Sequence, residues 1–89
     1  MKIIRISAVW CPSCLIMNKL WKKIEGDFPN LEIEKYDYEL DEEIVEEYQV
    51  GKVLPVAIFL DKNNQELERM VGEASYEKLV TAIDRYQNE

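Results

Sequence analysis

Trp10-Cys11-Pro12-Ser13-Cys14 stands between a stretch that reads as a strand and one that reads as a helix. Upstream, from Lys2 to Val9, Ile4, Ile6 and Ala8 alternate with Ile3, Arg5 and Ser7, the period-2 pattern of a partly buried strand. Downstream, Leu15, Ile16, Leu20, Trp21 and Ile24 recur at helical spacing. Gly26 is expected to end that helix, with Pro29 as a stop. The motif itself reads as the connecting turn. Two residues between the cysteines bring the sulfurs within bonding reach once the helix has begun. Cys11 then lies at the helix N-terminus, where unpaired N–H groups and the helix dipole stabilise a thiolate. Such placement lowers a thiol pKa from about 8.5 into the range of about 3.5–7.5. Cys14 falls one turn further on and is expected to be shielded. The exposed nucleophile is therefore Cys11, and Cys14 resolves its mixed disulfide. Pro12 suits the first helical turn, where its missing N–H has no partner to lose. Trp10 is expected to flank the nucleophile with an apolar surface.

Beyond the motif, Leu31, Ile33 and Lys35 continue an in/out pattern as a second strand. Asp41 is positioned to cap a second helix, with Glu42 and Glu43 at its positive end. Its apolar stripe is Leu40, Ile44, Val45 and Tyr48, and Gly51 ends it. Val53 to Leu60 is a nearly continuous apolar run, as in a strand covered on both faces. Asn63-Asn64 marks a hairpin turn, and Gln65 to Val71 returns as a more polar, edge-like strand broken by Gly72. Ser75 is placed to cap a final helix with the stripe Tyr76, Leu79, Val80, Ile83 and Tyr86. The order β-α-β-α-β-β-α predicts an α/β fold: a four-stranded mixed sheet with three helices distributed over both faces. Helix-separated strands imply parallel pairs, and the hairpin adds one antiparallel strand.

Composition narrows the field. The 89 residues form a single expected domain, 1–89, whose net charge of −7 disfavours nucleic acid as a partner. No run approaches the ~20 apolar residues of a membrane-spanning helix. The start Met1-Lys2-Ile3-Ile4-Arg5 lacks the uninterrupted apolar core of a secretory signal, so a cytoplasmic location is expected. In that reducing setting, a cysteine pair points to a working dithiol or half of a metal site rather than a permanent staple. A closed zinc site needs four ligands, and a chain with no His and no other Cys cannot supply them. Zinc or an iron–sulfur cluster shared between two subunits through Cys11 and Cys14 stays open as the alternative.

The arrangement resembles the thioredoxin superfamily. Trp-Cys-x-x-Cys follows a short strand and precedes an amphipathic helix. The segment Tyr48-Gln49-Val50-Gly51-Lys52-Val53-Leu54-Pro55-Val56-Ala57-Ile58-Phe59 is similar to the one in which a helix leads to a cis-proline and a buried strand. Val71-Gly72 is similar to the family's Val-Gly after the hairpin. The resemblance implies a thioredoxin-like fold and a thiol–disulfide oxidoreductase. Cys11 is then the nucleophile and Cys14 the resolving cysteine. Trp10, Pro12, Leu54 and Pro55 border the substrate, with Pro55 as the cis-proline and the Leu54 backbone pairing with an extended substrate segment. It implies no bound cofactor, disulfide-containing protein substrates, an electron-donating reductase or small thiol, and a monomer.

The chain also departs from that pattern. It begins directly at the strand before the cysteines, as glutaredoxins do. Pro-Ser stands between the cysteines where thioredoxins usually have Gly-Pro and glutaredoxins Pro-Tyr. Arg5 occupies a position where thioredoxins carry a buried acid that moves protons at the second cysteine, and an Arg cannot serve as a base. Lys35 and Lys52 read as solvated cations. The acids between Glu32 and Glu47 read first as a solvated face, and secondly as a docking surface for a basic partner.

Overall fold

The computed structural model describes residues 1–88. Its elements are β1 (Lys2–Ser7), α1 (Pro12–Asp27), β2 (Glu32–Asp37), α2 (Glu42–Glu47), β3 (Val56–Leu60), β4 (Glu66–Val71) and α3 (Tyr76–Tyr86). The four strands form one mixed sheet in the order β2-β1-β3-β4. The most apolar strands lie at its centre. β3 is buried along its whole length, and Ile3, Ile4 and Ile6 of β1 are likewise enclosed. Charges collect on the edge strands β2 and β4, where they deter pairing with other chains.

One strand direction differs from expectation. β1 and β2 are parallel, but β3 runs antiparallel to β1, with Ile6 opposite Val56 and Lys2 opposite Leu60. A parallel return must carry the chain back along the full strand, about 20 Å for six residues. The six-residue helix α2 spans only about 9 Å. The rest of the connection between β2 and β3 turns back, and the chain re-enters the sheet from the end it had just left. This places Pro55, the residue before β3, at the same end of the sheet as the motif that follows β1.

The helices cover both faces. On one side Met17, Trp21 and Ile24 of α1 pack with Leu79, Ala82 and Ile83 of α3 over Ile3, Ala57, Phe59 and Met70. On the other, Ile44, Val45 and Tyr48 close over Ile4, Ile6, Val56, Ile58 and Leu60. The apolar stripe of α1 is shifted from the one read in the sequence. Cys14 and Met17 take the inward positions, and Leu15 and Ile16 lie outside. Leu40 is also exposed, because it sits in the turn before α2 rather than on the helix.

Local chemistry explains the boundaries. The Ser75 hydroxyl accepts the Lys78 N–H at the start of α3. Asp41 precedes α2 but makes no side-chain cap; its carboxylate accepts the Asp37 N–H at 2.7 Å, tying the turn to the end of β2. In the β3–β4 hairpin, Asp61 Oδ1 accepts the N–H groups of Asn63 and Gln65, and Asn64 takes the left-handed conformation at φ 63°.

Candidate active site

The motif occupies the junction of β1 and α1, beside the start of β3. Cys11 is the N-cap residue of α1, and Pro12 is in the first helical turn. The Cys11 Sγ accepts the backbone N–H of Cys14 at 3.2 Å, so the sulfur itself satisfies one orphan donor of the helix end. A thiolate accepts such a bond more strongly than a thiol. Both cysteines are free.

Their exposure differs from the sequence expectation. Cys11 is 5% exposed and Cys14 1%. The order is the expected one, but Cys11 is not an open thiol. By turning its sulfur toward the helix end, Cys11 joins the apolar cluster of Ala8, Cys14, Val50, Leu54 and Val56. Only a sliver of it faces solvent, whereas the preceding residue, Trp10, is 56% exposed. Burial pushes the Cys14 thiol up to about 11, and its hydrogen bond to Cys11 adds to the rise. A backbone hydrogen bond at Ala8 and the charge of Arg5 act the other way. Cys14 is thus held as a thiol in the resting dithiol.

The surrounding residues fall into two groups. Pro55 and Leu54 are buried, and the bond between them is cis. The Pro55 carbonyl accepts the Gly72 N–H at 2.7 Å, which ties the Val71-Gly72 turn to the start of β3. Trp10 and Pro12 are exposed. Two carboxylates that local sequence does not mark also reach the motif. The Trp10 indole N–H donates to Glu39, and the Ser13 hydroxyl donates to Glu73 Oε2 at 2.7 Å. No local pattern joins position 13 to position 73; only the turn after β4 brings them together. Lys35 and Lys52 are exposed, in keeping with their reading as solvated cations. Arg5, by contrast, is buried at 7% exposure.

Sharing a metal between subunits needs both sulfurs presented at the surface, and Cys14 is enclosed. Among the described residues no cluster of three or more His, Cys, Asp or Glu is placed to hold a metal ion.

This set of features — a Cys-x-x-Cys pair at a helix start, a cis-proline beside it and a four-stranded mixed sheet behind — defines a thioredoxin-like thiol–disulfide site. The sequence profile of the thioredoxin family matches residues 1–85. The chain belongs to the thioredoxin family, whose members are thiol–disulfide oxidoreductases. It is 26% identical to a thioredoxin of Chlamydia trachomatis over 85 residues, covering 96% of this chain and 81% of that protein. It is 31% identical to an H-type thioredoxin of Fagopyrum esculentum over 70 residues, covering 79% and 59% respectively. Among solved structures, thioredoxin 1 of Thermosipho africanus superposes with a TM-score of 0.84 at 26% identity, covering 99% of this chain and 96% of that one.

Proposed function

We propose that the chain reduces protein disulfides through a Cys11/Cys14 dithiol–disulfide couple. The Cys11 thiolate attacks one sulfur of a substrate disulfide; the S–S bond breaks and the other substrate sulfur leaves and is protonated. Cys14 then gives up its proton and attacks Cys11 Sγ. The mixed disulfide breaks, the second substrate thiol departs, and Cys11 and Cys14 are left joined. The substrate has gained two electrons and the protein has lost two. A reductase or a small thiol returns them, with no bound organic cofactor needed. The direction presumes a cytoplasmic setting, where thiols are kept reduced. The protein acts as a monomer, with Trp10, Pro12, Leu54 and Pro55 bordering the substrate.

The observation that carries this reading is the pairing of a helix-capping Cys11 sulfur with a Cys14 held as a thiol directly behind it. Insulin reduction, followed by turbidity in the presence of dithiothreitol, provides the test. Cys11→Ser is expected to abolish it, and Cys14→Ser to strand substrate on Cys11 as a mixed disulfide visible by mass spectrometry. Reductase activity that survives Cys11→Ser, or one zinc or cluster per dimer in protein purified without chelator, overturns the proposal.

A further inference from the structure

Arg5 is the one charged side chain buried among the described residues. It enters from β1 and lies against α1. Its Nη2 donates to Asn18 Oδ1 at 2.8 Å, its Cζ stands 5.1 Å from the centre of the Trp21 ring, and Nη1 is 3.9 Å from Glu25. Cys14, Asn18, Trp21 and Glu25 follow one another along one face of α1, so the guanidinium occupies the strip that begins at Cys14. Packing alone does not account for a cation here. A buried charge is costly, Glu25 is more than half exposed, and an apolar side chain of similar volume fills such a site without the desolvation. A guanidinium cannot accept a proton, but it stabilises an anion formed nearby.

We propose that Arg5 is a positioning residue of the resolving step, its enclosed charge stabilising the thiolate with which Cys14 expels substrate from Cys11. This rests on the disulfide-reductase reading above. In the step, Cys14–SH and the Cys11–substrate disulfide become the Cys11–Cys14 disulfide and a substrate thiol; the proton lost by Cys14 ends on the departing sulfur, and Arg5 keeps its own. The ionisable groups that act on Cys14 are the Cys11 sulfur at its own helix start and, through its charge, Arg5 from β1. Those facing Arg5 are Glu25 on α1 and Lys35 across the groove on β2, while its β3 partner is the uncharged Ala57. Once Cys11 is tied up in the mixed disulfide it carries no charge and no proton-accepting thiolate. The field of Arg5 then acts on Cys14 without that opposition.

Stopped-flow reaction of the whole protein with 5,5′-dithiobis(2-nitrobenzoate) separates the steps. The first release of coloured thiolate reports Cys11 attack, and the second reports resolution by Cys14. Read across pH, Arg5→Met is expected to slow the second phase by about tenfold at neutral pH and move its midpoint upward, because thiolate fraction scales tenfold for each pH unit. The first phase should hold, and Arg5→Lys should restore much of the second. A second phase that superposes on that of the unaltered protein, or an Arg5→Lys as slow as Arg5→Met, overturns the role of Arg5 alone. No second phase in the unaltered protein overturns the reductase reading with it. Should Arg5→Met fail to fold, Glu25→Gln tests the same field from the exposed rim. Removing that carboxylate is expected to quicken the second phase and lower its midpoint; an unchanged profile overturns the proposal.

Discussion

Cys11 and Cys14 are neighbours with different surroundings. Cys14 is 1% exposed and its thiol is pushed up to about 11, chiefly by burial. Cys11 retains a narrow face to solvent. Iodoacetamide modification between pH 7 and pH 9 is therefore expected to label Cys11 well before Cys14, as peptide mapping by mass spectrometry can follow. Equal labelling of the two would mean that the shielding of Cys14 is absent in solution. The same enclosure has a consequence for stability. A thiol whose folded value lies above its unfolded value favours the folded state while it stays protonated. That contribution is complete below the ordinary thiol range, about 8.5, and is lost as pH rises toward about 11. Cys14→Ser removes this component of alkaline destabilisation of the reduced protein, measured by urea unfolding at several pH values.

At the scale of elements, α1 shows how a helix face is chosen. The hydrophobic spacing placed Trp21 and Ile24 inward, as they are, but it also favoured Leu15 and Ile16 where Cys14 and Met17 take the inward positions. Ile24→Ala is expected to destabilise the fold by about 2–5 kcal/mol. Leu15→Ser and Ile16→Ser, outside the packed face, should each stay within about 0.5 kcal/mol. Denaturant unfolding distinguishes the two patterns. The start of α3 gives an independent measure: Ser75→Ala removes a formed cap and should cost about 1 kcal/mol.

Across the whole molecule, charge shapes encounter. The chain carries a net −7, and Glu39 and Glu73 bracket the motif through Trp10 and Ser13. Reduction of a basic disulfide protein is therefore expected to slow as ionic strength rises from about 0.01 to 0.15 M, where screening shortens from about 30 to about 8 Å. Reduction of an acidic one should quicken over the same range. Initial rates on substrates of opposite charge provide the comparison; parallel salt responses would remove steering from the account. The acids of the Glu32–Glu47 stretch share in this field while also serving local structure. Asp37 Oδ1 accepts from Glu39 and Leu40, Asp41 binds the Asp37 N–H, and Glu34 accepts from the Tyr36 hydroxyl.

The order of elements, the helix-starting Cys-x-x-Cys, the Asn64 turn and the Ser75 cap were all legible along the chain. Each depends on residues a few positions apart: periodicity, a cap, a left-handed turn. The antiparallel run of β3, the burial of Arg5, the near-closure of Cys11 and the Ser13–Glu73 bond were not. They arise where segments distant in sequence meet, and burial and electrostatics there are set by what packs against a side chain rather than by its neighbours along the backbone. Sequence alone thus determined which sulfurs face each other across one helical turn. Only the folded structure decided that a buried cation would lie along the same face of that helix, because it is the packing of β1 against α1 that takes Arg5 out of water.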